Sequence, residues 1–104
     1  MIYHVVTAAL WQQALSKGFY EAPSLHTDGF IHSSSAAQVK GVLERYYKDQ
    51  QHLLLLHIDE SKLTAPLKYE LAISVNELFP HIFGPLNLDA VIKTAEINPE
   101  FFLL

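Results

Sequence analysis

The sequence contains no cysteine, a single arginine and no long apolar run. Without cysteine the chain can form neither disulfides nor thiolate zinc sites, and a thiolate nucleophile is excluded. Unbroken apolar runs, such as Ala8 to Trp11 and Leu53 to Leu56, reach four residues at most, whereas a transmembrane helix needs about 20. Clustered Lys and Arg, on which duplex or long single-strand nucleic-acid binding depends, are also missing. Membrane-spanning and nucleic-acid-binding roles are therefore not expected.

The remaining composition is that of a chain that folds. Half of the 104 residues are hydrophobic and 17% are charged, which fits one compact domain over residues 1–104. The net charge is −4, with the excess acid in the second half, and six histidines are present. The amino terminus shows neither the basic segment nor the apolar stretch of a secretory signal, so we expect a cytoplasmic protein.

Apolar periodicity divides the chain into two helices and a set of strands. Thr7 and Gly18 are typical residues for the start and end of the first helix. The predicted helices cover residues 8–17 and about 35–48, and the predicted strands cover residues 2–6, 29–32, 53–58, 67–74 and 90–97. Segments 19–29 and 79–85 contain proline and glycine without a sustained period and are predicted to be irregular. The apolar strand 53–58 is expected at the centre of the sheet of an α+β domain.

Four polar residues, three histidines and one glutamate, are candidates for acid–base chemistry. His4, His32 and His81 each lie where a strand meets a loop or turn, and strand alternation turns Glu70 away from the Tyr69 face. A single histidine in an apolar strand is more often a hydrogen-bonded core residue than a functional one, and Glu70 alone fits an ordinary solvent-facing carboxylate. As a set, they form the candidate catalytic group, and we predict that they converge on one hollow.

The segment His32-Ser33-Ser34-Ser35 precedes the second predicted helix. The first N–H groups of a helix lack partners and carry the positive end of its dipole, so hydroxyl residues at this point favour binding of a phosphate. The simpler interpretation is that Ser33 or Ser34 caps the helix and binds nothing. Both interpretations remain open on the sequence.

Two longer motifs and several single residues are characteristic of a known family. They are Ile2-Tyr3-His4, Trp11, Gly29-Phe30-Ile31-His32-Ser33-Ser34, Tyr69-Glu70 and Phe79-Pro80-His81-Ile82-Phe83-Gly84-Pro85-Leu86. On these residues the chain resembles the small bacterial proteins grouped as domain of unknown function 952, and the resemblance spans nearly the whole chain. Phe83 replaces the usual tyrosine and Ser33 a frequent cysteine, so neither a phenol nor a thiol is expected to be essential at these positions.

The family in turn resembles a minimal ADP-ribosyltransferase-like fold. This resemblance implies a small split antiparallel or mixed β-sheet with two main helices in the N-terminal half, arranged to cradle NAD. In that fold a first-strand histidine holds a ribose hydroxyl, and a glutamate on a later strand stabilises the developing charge. His4 resembles the first position and Glu70 the last, while His32 and Ser33 fall near a second-strand position.

Three functional hypotheses follow. The first is a protein that binds a small nucleotide-like ligand of the NAD or ADP-ribose type, with Ser33, Ser34, Trp11 and Tyr20 as ligand contacts. The second is an ADP-ribosyl or glycosyl-transfer enzyme in which Glu70 stabilises an oxocarbenium-like transition state, with His4, His32 and His81 positioning groups or moving protons. The third is a His/Glu metal-dependent enzyme, although no His-Glu-X-X-His spacing occurs. A small-molecule partner is expected, and the oligomeric state is not predicted.

Overall fold

A computed structural model describes residues 1–98, which form eight strands and three α-helices. Short 3₁₀ helices cover Ala36–Gln38, Glu60–Lys62 and Leu88–Ala90. In chain order the elements are β1 (Ile2–Thr7), α1 (Ala8–Lys17), β2 (Phe19–Tyr20), α2 (Pro23–Thr27), β3 (Ile31–His32), α3 (Val39–Tyr46), β4 (Leu53–Ile58), β5 (Leu67–Ala72), β6 (Glu77–Ile82), β7 (Leu86–Asn87) and β8 (Val91–Ile97).

The strands form three antiparallel sheets, with orders β1-β4-β8, β3-β6-β5 and β2-β7. The predicted α+β class is therefore confirmed, and every strand pair among residues 1–98 is antiparallel. A bridge between Tyr3 and Ser34 joins the first two sheets, because each residue's N–H donates to the other's carbonyl at 2.8 Å. This junction places the start of β1 directly beside the end of β3.

The core lies mainly between these sheets and α1. The central strand β4 supplies Leu56 and Ile58, which are fully buried, and the β3–β6 pair supplies Ile31 and Ile82, which are also fully buried. Burying such a side chain contributes about 1.5–3 kcal/mol. A second, smaller cluster lies under α3. The strand predicted to be central is thus central, as its continuous apolar run requires.

Helix α1 has the predicted bounds because both of its ends are capped locally. The Thr7 hydroxyl accepts from the Leu10 N–H at 3.2 Å. At the other end Gly18 adopts φ +91° and its N–H donates to the Ala14 carbonyl at 2.8 Å, in the left-handed conformation that glycine adopts without steric cost. The predicted ends were correct because each depends on residues within one turn.

Two segments predicted to be irregular are not. Residues 19–29 contain β2 and the short helix α2, and Pro23 stands at the first position of α2, where a proline loses no helical hydrogen bond. Residues 79–85 include most of β6. The Pro80 carbonyl accepts from the Ser33 N–H at 3.0 Å, and β3 ends at His32, before a proline N–H would be needed.

The second predicted helix is shorter than expected and begins differently. A 3₁₀ turn leads into α3, which ends at Tyr46 rather than near residue 48. Ser35 forms the cap, together with the Gln38 side chain, in a reciprocal capping box. The prediction that Ser33 or Ser34 caps this helix is therefore wrong, since the bridge to Tyr3 keeps Ser34 in an extended segment.

Candidate functional site

A cavity of about 610 Å³ opens between β1, the end of α3 and the β5–β6 hairpin. Its size lies in the range of small-molecule sites, about 300–1,000 Å³. The lining combines aromatic rings with a few polar side chains. It includes Tyr3, Tyr20, Tyr46, Tyr47, Phe79, His4, His32, His81, Ser24, Ser33, Ser34 and Arg45.

His4 is a buried imidazole with both ring nitrogens engaged. Its Nδ1 lies 2.5 Å from the His32 carbonyl oxygen and its Nε2 lies 2.8 Å from the Tyr20 hydroxyl. A carbonyl only accepts, so Nδ1 carries the proton and donates it. Burial lowers the pKa of His4 to about 4, and the neutral ring therefore accepts from the Tyr20 O–H at Nε2. His4 thereby connects β1, β2 and β3.

Tyr20 places a phenolic oxygen at the cavity wall. It lies on β2, is 3% exposed, and its proton is directed to His4, so the oxygen keeps acceptor capacity for another group. Burial raises the pKa of Tyr20, and the nearby Tyr47 raises it further. Burial also raises the pKa of Tyr47, so both phenols are neutral at physiological pH.

On the opposite wall, two histidines are paired with carboxylates. His32 and His81 are cross-strand partners on β3 and β6, with ring centroids 5.3 Å apart. His32 Nε2 lies 3.0 Å from an Asp28 carboxylate oxygen, and His81 Nδ1 lies 2.7 Å from a Glu70 carboxylate oxygen. A carboxylate orients an imidazole and leaves its second nitrogen for proton transfer.

Phe30 holds these two imidazoles together. Its ring stacks on His81 at a centroid distance of 4.0 Å and meets His32 edge to face at 4.8 Å. The turn before β3 makes this possible, because Gly29 at φ +86° reverses the chain between Asp28 and Phe30. The His81 side chain is 12% exposed and the His32 side chain is 56% exposed. Of the two histidine–carboxylate contacts, the one made by His81 is therefore the better shielded from solvent.

The backbone amides of the serine segment are already used within the protein. The Ser33 N–H donates to the Pro80 carbonyl, the Ser34 N–H to the Tyr3 carbonyl, and the Ser35 N–H to the Gln38 side-chain oxygen at 2.9 Å. These three amides have no capacity left for an anion. The phosphate site expected at this helix start would therefore depend on other donors, and it stays a prediction.

The hydroxyl of Ser33 is a different case. Ser33 is 4% exposed and lines the cavity, yet its Oγ has no hydrogen-bond partner among the described residues. Leaving a buried hydroxyl without a partner costs about 1–3 kcal/mol. Because Ser33 lines the cavity, a bound molecule that displaces the side chains covering this hydroxyl would gain a hydrogen bond to it.

The predicted site residues are largely brought together. His4, His32 and His81 line the cavity with Tyr20, Ser33 and Ser34, and Glu70 reaches it through His81. Trp11 does not line the cavity, because α1 buries it in the core, with its ring centroid 6.3 Å from that of Tyr20. The chemical roles assigned to these residues stay predictions.

Sequence reasoning missed several residues of the site, among them Asp28, Phe30, Arg45 and Tyr47. The turn pair Asp28-Gly29 beside His32 was a local signal for the first two residues. Arg45 and Tyr47 had no comparable signal, since only the packing of α3 against β1 brings them to the cavity. Within residues 1–98 there is no group of three or more His, Asp or Glu that could hold a metal ion, so the metal-enzyme hypothesis gains no ligand set.

The fold and site thus define a small α+β protein with a ligand-sized cavity walled by imidazoles and phenols. The chain belongs to the family described as "Protein of unknown function (DUF952)", whose model matches residues 5–94. No match was found among curated proteins. No helix within residues 1–98 has the length and apolar character that crossing a membrane requires.

Solved structures of one relative are similar over most of the chain. The crystal structure of protein CC0527 from Caulobacter crescentus is 30% identical, with a TM-score of 0.85, and the match covers 93% of this chain and 85% of that chain. The solution NMR structure of CC0527 is also 30% identical, with a TM-score of 0.80 and coverage of 93% and 84%. These matches support the family and the α+β fold, and they do not support the ADP-ribosyltransferase-like resemblance.

Proposed function

We propose that this protein binds a small nucleotide-like ligand, of the NAD or ADP-ribose type, in the cavity between β1, α3 and the β5–β6 hairpin. The observation that carries the proposal is the Ser33 hydroxyl, which is buried and unpartnered at the wall of a cavity of about 610 Å³. We also propose that the protein is cytoplasmic and that residues 1–104 form a single domain.

The walls suit a ligand with a planar ring and sugar hydroxyls. Tyr3, Tyr47 and Phe79 supply aromatic surface against which a base can pack. The Ser33 hydroxyl would donate to a ribose oxygen. The Tyr20 oxygen, whose own proton is directed to His4, would accept from a ribose hydroxyl.

Arg45 gives the cavity a group that recognises phosphate. It is the single arginine of the chain and lies on α3 among the lining residues, with its guanidinium 5.7 Å from the Tyr46 ring. A guanidinium forms two parallel hydrogen bonds to a phosphate. In a protein of net charge −4, a nearby cation is needed for an anionic ligand to bind.

The test is a titration of ADP-ribose and NAD into the pure protein, followed through the histidine side-chain NMR signals. We expect His32 and His81 to shift in a saturable manner, because both rings line the cavity. Adenosine and inorganic phosphate serve as partial ligands and should bind more weakly than ADP-ribose. Unchanged signals of His4, His32 and His81 at millimolar ligand would contradict the proposal.

A matched pair of serine variants sharpens the test. Ser33→Ala removes the unpartnered hydroxyl and should weaken ADP-ribose binding about 5- to 10-fold, the value of one hydrogen bond to a ligand. Ser16→Ala removes an exposed hydroxyl on α1 and should leave the affinity unchanged. Equal affinities for the two variants would show that Ser33 makes no ligand contact.

A second candidate is an ADP-ribosyl or glycosyl-transfer enzyme, favoured by the 2.7 Å contact between His81 and Glu70. In hydrolysis, water would attack the ribose C1′ as the bond to nicotinamide breaks, and the His81–Glu70 pair would take the water proton. His4 cannot be the proton carrier, because both of its nitrogens are engaged. Release of nicotinamide from NAD by the wild type and its loss in Glu70→Gln would support this candidate.

A further inference from the structure

Strand β5 lies at the edge of the β3-β6-β5 sheet and pairs only with β6 among the described residues. The Ser33 N–H donates to the Pro80 carbonyl, so the Pro80 backbone faces β3. Tyr69 is the β5 partner of Pro80, and its N–H and carbonyl therefore point away from β6, because antiparallel ladders alternate. By the same alternation, Leu67 and Leu71 also present their backbone groups at the outer edge.

The hairpin that carries this edge also exposes an unusual amount of apolar surface. Tyr69, Leu71, Leu78 and Ile73 are 51%, 56%, 57% and 86% exposed. They are four of the nine large hydrophobic residues that are exposed in the described chain. Soluble proteins normally protect such an edge, because a long apolar edge strand pairs with another strand.

The sequence of β5 is self-complementary when it runs antiparallel to itself. With Tyr69 opposite Tyr69, the outward-facing Leu67 and Leu71 meet each other, and about six backbone hydrogen bonds form. In this register Lys68 of each copy lies opposite Glu70 of the other. A shift by one pairing step in either direction places Lys68 opposite Lys68 or Glu70 opposite Glu70, which like-charge repulsion disfavours.

We infer that a second copy of this chain pairs with β5, antiparallel and with a two-fold axis at Tyr69. The two copies then share one continuous six-stranded sheet, and the exposed Tyr69 and Leu71 of each copy pack against those of the other. This symmetric arrangement closes on itself and leaves no free β5 edge for further growth.

The interface also contributes a residue to the candidate site. Glu70 lies on the sheet face that carries His81, and its carboxylate holds the His81 ring. In the inferred dimer Lys68 of the second copy stands opposite Glu70, and its ammonium, which lies 5.1 Å from the Phe83 ring centroid of its own chain, reaches that carboxylate by a change of side-chain conformation. Each cavity therefore has one cation at its rim that belongs to the other chain.

Strand β8, at one edge of the β1-β4-β8 sheet, does not offer the same match. In β8 the opposite charges are Lys93 and Glu96, which are three positions apart, an odd offset. One of them has its backbone facing outward and the other inward, so the two cannot stand opposite each other in a self-paired antiparallel ladder. Charge complementarity therefore selects β5.

Sedimentation equilibrium from micromolar to millimolar protein tests the inference, with variants that reverse the charges. The wild type should show a reversible dimer. Lys68→Glu and Glu70→Lys each place like charges opposite one another and should raise the dimer dissociation constant at least about tenfold. The double variant Lys68→Glu/Glu70→Lys restores opposite charges and should restore the wild-type constant.

The controls separate the interface from folding and from ligand binding. Ile92→Lys changes a half-exposed residue on β8 and should leave the dissociation constant unchanged, while circular dichroism reports the fold of every variant. A wild type that stays monomeric at millimolar concentration overturns the inference. A dimer that the double variant does not restore overturns this register. Neither result depends on the titration with ADP-ribose and NAD, which measures ligand binding in the cavity and not self-association.

Discussion

The two walls of the cavity use histidine in opposite ways. On the β1 wall, His4 is 8% exposed, neutral, and hydrogen-bonded through both nitrogens to protein groups. On the β3–β6 wall, His32 and His81 each use one nitrogen for a carboxylate. Histidine thus links buried strands through hydrogen bonds on one wall and pairs with a carboxylate on the other.

The difference comes from what surrounds each ring. Burial disfavours the charged form of His4, so it is held as a fixed donor and acceptor with a single tautomer. His32 and His81 instead each contact a partly exposed carboxylate, that of Asp28 and that of Glu70. In the proposed function, proton exchange is assigned to the β3–β6 wall and positioning to the β1 wall. The following variants test this division.

The largest effect is expected for His4→Leu. The substitution leaves the Tyr20 hydroxyl and the His32 carbonyl without partners in a buried region, at about 1–3 kcal/mol for each buried group. We expect the free energy of unfolding to fall by about 3–4 kcal/mol, measured by urea denaturation. The matched variant His32→Leu removes an exposed ring and should cost below about 1 kcal/mol. Similar losses in the two variants would contradict the division between the walls.

Lowering the pH should show the contribution of His4 to stability separately from those of the other histidines. Its pKa is lowered from 6.5 to about 4 in the folded protein, so the unfolded chain binds the extra proton in this interval. Stability is therefore full above pH 6.5 and falls as the pH drops towards 4, by about 3 kcal/mol. Urea denaturation across this range measures the slope, and His4→Leu should flatten it. An unchanged slope in the variant would assign the effect to other groups.

These residues also show which parts of the site could be predicted. Placing His32 and His81 near one hollow required only that strand ends carry functional side chains. His4 was expected at a strand end as well, but it lies inside β1, as Glu70 lies inside β5. Trp11 was misplaced because helical periodicity shows which face of α1 points inward, but not whether core or cavity lies there. Tyr47 was missed because only the packing of α3 brings it to the cavity.

In the fold, too, the elements that depend on nearby residues were predicted, and those that depend on distant residues were not. The bounds of α1 were predicted correctly because Thr7 and Gly18 act within one turn. The strand β6 was missed because Pro80 normally argues against a central strand. It is tolerated because the Pro80 backbone faces β3 and β3 ends at His32, so no ladder bond requires the missing N–H. Both conditions are set by β3, which lies more than forty positions earlier in the chain. The periodicity of β6 itself therefore cannot predict them.

A smaller effect is expected for Tyr20→Phe. It deletes one buried hydrogen bond and leaves His4 Nε2 unpartnered, so the free energy of unfolding should fall by about 1–2 kcal/mol. In a double-mutant cycle with His4→Leu, the two losses should be less than additive, because both variants break the same contact. Additive losses would show that the 2.8 Å contact between the His4 ring and the Tyr20 hydroxyl contributes little to stability.

The smallest effect, and the only one of opposite sign, is expected for Ser33→Ala. The hydroxyl has no partner among the described residues, so its removal should raise the free energy of unfolding by up to about 1 kcal/mol. Ser24→Ala is the matched control: its hydroxyl donates to the Phe30 carbonyl at 2.8 Å, and its loss should lower stability by about 1 kcal/mol. A residue whose removal stabilises the free protein while weakening ligand binding is retained for function rather than for folding. If Ser33→Ala lowers stability as Ser24→Ala does, Ser33 belongs to the structural wall with His4.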